Sequence, residues 1–217
     1  MNKKQYDTFR NLSDKFKQYV KDSNGKDFNV IPVYNKDLDK FTVSSKIKYI
    51  LLADNPGKEE AVEHRYLVGH AGKQARNFFE SSGLVNDFTD EVMVLNKTCI
   101  HTDSTGDLKV LKKSELFAGS QKFMAEIAFG FHTVLKCEMW IIGCSEFRQG
   151  GIFSQFRDTL TGCYNSGKSL QLREKVFCYK HFSYGNFSHD LRTHPSQDMN
   201  IKLHDIGTEM RKRFLGW

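Results

Sequence analysis

Polar side chains that could do chemistry follow directly on an apolar stretch in the first third of the chain. The run Ile47–Leu52 is mostly apolar, which is typical of a buried parallel strand. The next five residues read ADNPG, a sequence that ends a strand. Because ligands of open α/β sheets bind beyond the carboxyl ends of the strands, we expect Asp54 and Asn55 to face a functional site.

Further polar groups follow other predicted strands. Asn96 lies at the end of the second one, and the hydroxyl-rich loop His101–Asp107 comes shortly after it. A polar loop after the fourth strand contains His194-Pro195-Ser196. If the strands are parallel, loop His101–Asp107 lies at the same edge of the sheet as Asn55.

Strands alternate with helices along the chain, which predicts βαβ units and a mostly parallel sheet with helices on both faces. We predict an α/β fold, a three-layer α/β/α sandwich with a central four-stranded sheet. One domain, 1–217, is expected, with an N-terminal helix and connecting segment over 1–45 and the α/β core over 46–217. The predicted strands are Ile47–Leu52, Glu91–Lys97, Glu138–Gly143 and Lys175–Phe182, and the predicted helices are Tyr6–Lys21, Lys73–Ser81, Ser114–Leu135, Ser145–Leu160 and Ile201–Phe214.

Composition limits the class of protein. No apolar run approaches the roughly 20 residues of a membrane span, and the N-terminus lacks the apolar core of a signal peptide, so we expect a cytoplasmic protein. The five cysteines are odd in number and form no Cys-x-x-Cys pair, which argues against a disulfide framework and a thiolate metal site. The net charge of +6 suits a polyanionic partner.

Four short motifs together resemble those of the uracil-DNA glycosylase superfamily. They are Asp54-Asn55-Pro56-Gly57, Leu67-Val68-Gly69-His70-Ala71-Gly72, Leu95-Asn96 and His194-Pro195-Ser196. In that superfamily the first motif reads G-Q-D-P-Y, G-M-N-P-G, G-I-N-P-G or G-E-A-P-G, and the second is commonly H-P-S. The resemblance covers about Lys46 to Ser196, and its specificity lies in the order and spacing of the motifs.

The resemblance implies a monofunctional DNA glycosylase of base excision repair. Such an enzyme hydrolyses the N-glycosidic bond of uracil, or of a related damaged base, after flipping it out of single- or double-stranded DNA. The resemblance also implies the three-layer fold. We expect a monomer with no cofactor and no metal.

Roles for individual residues follow from the same resemblance. Cleavage creates an oxocarbenium-like sugar and an anionic base, so a positioned water and a donor to the base oxygen are required. Asn55 corresponds to the catalytic residue that positions the water, and His194 to the catalytic donor. The base-binding positions are Asp54, Tyr66, Leu67 and Asn96, and the DNA-binding positions are Gly69, Gly72, Ser104, Thr105, Ser196 and Met199.

Departures from the motifs support a second hypothesis. Ala53 replaces the glycine that usually opens the first motif, and the acidic Asp198 follows the second motif, near the expected phosphates. A protein of this fold that binds nucleic acid or bases without cleaving them is therefore the alternative. The loop 67–72 is most like the iron–sulfur branch, but no cysteine precedes Cys99, so we predict no cluster.

A third hypothesis comes from Gly162–Ser169, which satisfies the phosphate-binding pattern G-x-x-x-x-G-K-S. A true P-loop follows a strand and opens a helix, whereas this stretch follows a predicted helix and leads into a strand. We therefore interpret it as a surface loop rich in glycine and serine. A zinc site at Cys178, His181, His189 and His194 lacks a common spacing, and Gly143-Cys144-Ser145 lacks the closing glycine of a nucleophile elbow.

Overall fold

The computed structural model of the protein describes residues 1–27, 30–165, 167 and 169–217, and only the backbone of Tyr184. The helices are α1 Lys3–Ser23, α2 Lys58–Glu63, α3 His70–Ser81, α4 Phe88–Glu91, α5 Leu108–Leu111, α6 Glu115–Leu135, α7 Ser154–Cys163, α8 Asn186–Thr193 and α9 Met199–Leu215. The strands are β1 Ile31–Pro32, β2 Tyr49–Ala53, β3 Val92–Asn96, β4 Ile100–His101, β5 Glu138–Ile142 and β6 Val176–Tyr179.

Four strands form one parallel sheet in the order β3-β2-β5-β6. Every residue of β3 is buried, as are the last four of β2 and β5, which explains their nearly continuous apolar sequences. The prediction of an α/β chain with a four-stranded parallel sheet is confirmed. Ala53 and Asn96 are partners in the register of β2 and β3, so the side chains of these two residues lie on the same side of the sheet.

Helices contact both faces of this sheet. On one face, Phe79 of α3 packs against Trp140, with ring centroids 4.8 Å apart. On the other face, the hydroxyl of Tyr164, which caps α7, lies 3.8 Å from the sulfur of Met139. Trp140 and Met139 are neighbours in β5 and point to opposite sides, so the sheet is covered from two directions.

The N-terminal segment packs against the core through α1 and β1. Phe9 of α1 lies 4.9 Å from Phe131 of α6, measured between ring centroids. The short strand β1 pairs antiparallel with β4, so that Ile31 lies opposite His101. This pairing connects the start of the chain to the loop that follows β3.

Three predicted boundaries were wrong. The helix expected from Ser145 begins at Ser154, because a 3-10 turn and the pair Gly150-Gly151 precede it. A Cβ atom on Gly151 would lie 2.2 Å from the carbonyl oxygen of Glu146, so only glycine fits at this close approach of the backbone. The fourth strand ends at Tyr179 instead of Phe182, and the loop predicted after it contains α8.

Within the described residues, no helix is both long enough and apolar enough to cross a membrane.

Candidate active site

A cleft of about 1010 Å³ opens at the carboxyl ends of β2, β5 and β6. Loops after each of these strands contribute to it, together with the first turns of α2 and α3. Seven of the residues predicted for the site line this cleft: Asp54, Asn55, Leu67, Gly69, Gly72, Ser104 and Thr105. The loop after β3 therefore lies beside Asn55, as expected for parallel strands.

The side-chain amide of Asn55 is oriented by two threonines. Its Nδ2 donates to Oγ1 of Thr102 over 2.9 Å, and its Oδ1 accepts from Oγ1 of Thr105 over 3.0 Å. A carbonyl oxygen has two lone pairs, so Oδ1 of Asn55 has the capacity to accept one further hydrogen bond. The orientation is thus set by the loop that follows β4.

A buried ion pair lies beside Asn55. Nζ of Lys97 contacts the carboxylate of Asp54 and the carbonyl oxygen of Ile142, and the Lys97 side chain has no exposed surface. The rings of Phe147 and Phe153 lie 5.3 and 5.0 Å from the same ammonium group, measured to their centroids. A buried charge is costly unless it is paired and hydrogen-bonded, and here both conditions are met.

His181 follows β6 and lines the same cleft. Its Nδ1 accepts a hydrogen bond from the backbone N–H of Ser183 over 3.1 Å, so the neutral ring carries its proton on Nε2. Burial lowers the pKa of His181, and the positive charge of Lys97 lowers it further, against the opposing effect of Asp54. His181 is therefore a neutral hydrogen-bond donor at neutral pH.

Asn96 is a buried amide without partners. Its side chain is 1% exposed, and neither Oδ1 nor Nδ2 has a hydrogen bond. Buried polar groups are nearly always paired, and an unpaired one calls for an explanation such as a ligand or an ordered water. Asn96 stands next to Ala53, which lines the cleft.

Glu60 connects the loops on either side of α2. Its carboxylate accepts from the backbone N–H of Gly57 over 2.7 Å. Burial raises the pKa of Glu60, and the backbone N–H groups of Gly57, Leu67 and Val68 oppose that effect. Leu67 has a φ of +56°, which is uncommon for a residue other than glycine.

Gly72 is required by the close approach of that loop. A Cβ atom on Gly72 would lie 1.7 Å from the carbonyl oxygen of Leu67, so a larger residue does not fit. Gly69 is the N-cap of α3 and supplies no side-chain hydrogen bond. The first turn of α3 thus presents backbone N–H groups at the cleft, where they favour negative charge.

Five of the predicted site residues do not line the cleft: Tyr66, Asn96, His194, Ser196 and Met199. His194 does not line the cleft: it follows α8, its Nε2 lies 3.7 Å from Asp205, and its Nδ1 accepts from the N–H of Ser196. Met199 begins α9, also outside the cleft lining. Tyr66 is 2% exposed, and its hydroxyl donates to the carbonyl of Val33. Its ring is therefore not available to stack on a ligand.

Charge in the cleft is unevenly paired. Lys58, Lys109 and Arg213 line it and form no ion pair within the described part of the chain. Among the lining carboxylates, Asp54 and Glu60 are engaged as described above, Glu146 accepts from the N–H of Ile152, and Asp103 lies 3.7 Å from His101. Apart from Asp54, none of these carboxylates has a lysine or arginine partner among the described residues, and Glu59 is likewise unpaired. The free charge of the cleft is therefore mixed in sign.

The sequence contains two rival binding motifs, a zinc site and a P-loop-like stretch. Among the described residues, no three His, Cys, Asp or Glu side chains are arranged to hold a metal ion. The P-loop-like stretch begins in the last turn of α7, as its predicted position after a helix implied. Two of its residues, Ser166 and Lys168, lie outside the described residues.

Sequence reasoning missed two residues of this site, Lys97 and His181. The available signal for His181 was its spacing to Ser183, which repeats the spacing of His194 to Ser196. Lys97 directly follows β3 but carries no pattern that marks it as buried.

No protein-family model matches this sequence, and a search of the curated proteins finds no match.

Proposed function

We propose that the protein is a DNA glycosylase that hydrolyses the N-glycosidic bond of uracil or a related damaged base. The proposal rests on the resemblance to the uracil-DNA glycosylase superfamily and on the chemistry of the cleft. It includes the finer fold assignment, a single three-layer α/β/α domain of that superfamily, which the parallel sheet and its two covered faces support.

The observation that carries the proposal is the unpaired amide of Asn96. A carboxamide offers one acceptor and two donor hydrogens, which complements an N–H beside a C=O on the edge of a pyrimidine. An unpaired buried amide costs about 1–3 kcal/mol, so a partner such as a ligand or an ordered water is expected beside it. A base extruded into the cleft is such a ligand.

His181 takes the role that the sequence assigned to His194. His181-Phe182-Ser183 keeps the first and third residues of the H-P-S motif, and it stands at the carboxyl end of β6. Its Nε2–H is free to donate to the carbonyl oxygen of the departing base, where negative charge develops. A neutral imidazole is sufficient, because a charge-stabilising donor does not need to transfer its proton.

Asn55 orients the attacking water through the remaining lone pair of Oδ1. The water oxygen bonds to C1′ of the sugar, the bond from C1′ to the base nitrogen breaks, and the electron pair leaves with the base. The water loses one proton to solvent, and the base anion takes up a proton from solvent after it departs. The oxocarbenium character of this reaction demands little nucleophilic strength, so an amide suffices.

A second candidate is binding without cleavage. Both ends of the Asn55 amide already have partners in Thr102 and Thr105, which favours a structural role for that residue. In this case Asn96 and His181 recognise a base that remains attached to its sugar.

The test is release of base from single-stranded and duplex oligonucleotides that contain uracil, followed by alkaline cleavage of abasic sites. We expect product from the wild type and a loss of about a hundredfold in rate for His181→Ala and for Asn55→Ala. His194→Ala is the matched control, because it removes the histidine of an equivalent H-x-S turn outside the cleft, and its rate should equal that of the wild type. Preferential binding of uracil-containing DNA without product would support the second candidate instead.

A further inference from the structure

A second, open depression of about 440 Å³ lies beside the cleft. Arg213 and Phe214, near the C-terminal end of α9, line both cavities. The far side of the depression is formed by the end of α7 and the residues after it, including Thr161, Gly162 and Asn165. The two cavities are therefore neighbours separated by the ridge Arg213–Phe214.

The ridge has the chemistry of a stacking platform. Phe214 carries the only Phe, Tyr or Trp ring among the described side chains that line the cleft. The guanidinium carbon of Arg213 lies 5.3 Å from the centroid of that ring, and Arg213 is exposed and unpaired within the described residues. Nucleic-acid bases stack on arginine planes and on aromatic rings, and the edge of a guanidinium can bind a phosphate.

The surface beyond the ridge has room for a further nucleotide. A Cβ atom placed on Gly162 would meet nothing within 4 Å. Thr161 and Asn165 provide a hydroxyl and an amide, and such groups contact phosphate and sugar without sequence preference. The positive charge of Arg157 is offset by Asp158, whose oxygen lies 2.6 Å away, so Arg213 is the cation available to a phosphate at this border.

We propose that a nucleic-acid strand leaves the cleft across Arg213–Phe214 and continues into the depression. The inference rests on the proposed function and deepens it: the substrate is a polynucleotide, and its segment on this side of the reacting nucleotide is single-stranded. A base must expose its face to stack on the ridge, which a paired duplex does not allow.

The experiment measures binding of single-stranded DNA by fluorescence anisotropy. A trinucleotide centred on uracil is compared with strands extended by a few nucleotides on the 5′ side or on the 3′ side. The variants are Arg213→Gln, Phe214→Leu, which keeps an apolar side chain where the ring packs on the core, and Arg192→Gln. Arg192 is exposed on α8 and does not line either cavity, so it is the matched control.

We expect extension on one side to tighten binding by the wild type about tenfold, within the range for one stacked base. Arg213→Gln should remove most of this gain and lower the slope of log affinity against log salt by about 0.7, the value for one phosphate of a single strand. Phe214→Leu should remove part of the gain. Arg192→Gln should match the wild type.

An equal gain in wild type and Arg213→Gln would overturn the inference, as would tight binding of extended DNA only as a duplex. Release of uracil from the same strands separates the two proposals. If uracil is released and Arg213→Gln does not change binding, the glycosylase proposal stands and the proposed strand path is wrong. If extension of the strand tightens binding through Arg213 but no uracil is released, the strand path is supported and the glycosylase proposal is wrong.

Discussion

Lys97 and Asp54 form an ion pair at the edge of the cleft in which the lysine is fully buried and the carboxylate retains 15% of its side-chain exposure. Replacing Lys97 by methionine leaves this carboxylate without its partner in a mostly buried place. We expect the free energy of unfolding to fall by about 3 kcal/mol, measured by urea denaturation. Lys109→Met, at an exposed lysine of the same cleft, should change it by less than about 0.5 kcal/mol.

A double variant checks the cause. In Lys97→Met/Asp54→Asn the uncompensated charge is gone, so part of the lost stability should return. Equal stability of Lys97→Met and Lys109→Met would contradict the energetic role of the pair.

Gly143 is the residue that leaves room for the Asp54 carboxylate. A Cβ atom there would lie 2.7 Å from Oδ1 of Asp54, and the φ of Gly143 is +74°. Gly83 has nearly the same φ, +72°, with nothing within 4 Å of its Cβ position. We expect Gly83→Ala to cost about 1 kcal/mol for the backbone alone and Gly143→Ala to cost at least about 1 kcal/mol more. Thermal unfolding of both variants measures the difference, and equal costs would show that the carboxylate moves freely.

Asn96 and Asn35 are two buried asparagines with opposite pairing. Asn35 donates to the carbonyl of Val94 over 3.0 Å and accepts from the N–H of Asp37, whereas Asn96 has no partner. Asn96→Leu should therefore leave stability unchanged or raise it by about 1 kcal/mol, and Asn35→Leu should lower it by about 2 kcal/mol. Base release should be lost in Asn96→Leu. A large loss of stability in that variant would mean that the amide has a structural partner, such as an ordered water.

His132 makes stability depend on pH. Burial lowers its pKa from 6.5 to about 4, and its ring is hydrogen-bonded to the hydroxyl of Tyr164 and to the carbonyl of Cys137. Protonation is therefore easier in the unfolded chain, so the stabilisation is present above pH 6.5 and is lost as the pH falls toward 4. From pH 7 to pH 5 the loss should be about 2 kcal/mol. His132→Gln should flatten this dependence, and His204→Gln, at an exposed histidine, should retain it.

The sheet could be predicted from the sequence because each of its strands is buried on both faces. That burial produces short apolar runs, and the polar residues after Leu52 then fall at the carboxyl edge. Asp54 and Asn55 were placed in the cleft by this reasoning alone. Boundaries were less secure where glycine pairs or short helices intervene, as at Gly150-Gly151 and α8.

The choice between two histidines could not be made from the sequence. His181 and His194 each stand two residues before a serine, and in both cases the serine N–H binds Nδ1 of the histidine. The local chemistry is the same, and only the point at which β6 ends decides which ring reaches the cleft. Lys97 presents a similar difficulty, because a lysine after a strand is normally exposed and its burial depends on the distant Asp54 and Ile142.

The antiparallel pairing of β1 with β4, two residues long, links the N-terminal segment to the loop that lines the cleft. The N–H of Val33 donates to the carbonyl of Cys99 over 2.8 Å, and three residues further on Thr102 orients the amide of Asn55. Segment 1–45 therefore helps to support the loop that orients Asn55. A version of the chain shortened to the α/β core would keep every strand of the main sheet but lose the hydrogen bond that holds Cys99, three residues before the threonine that orients Asn55.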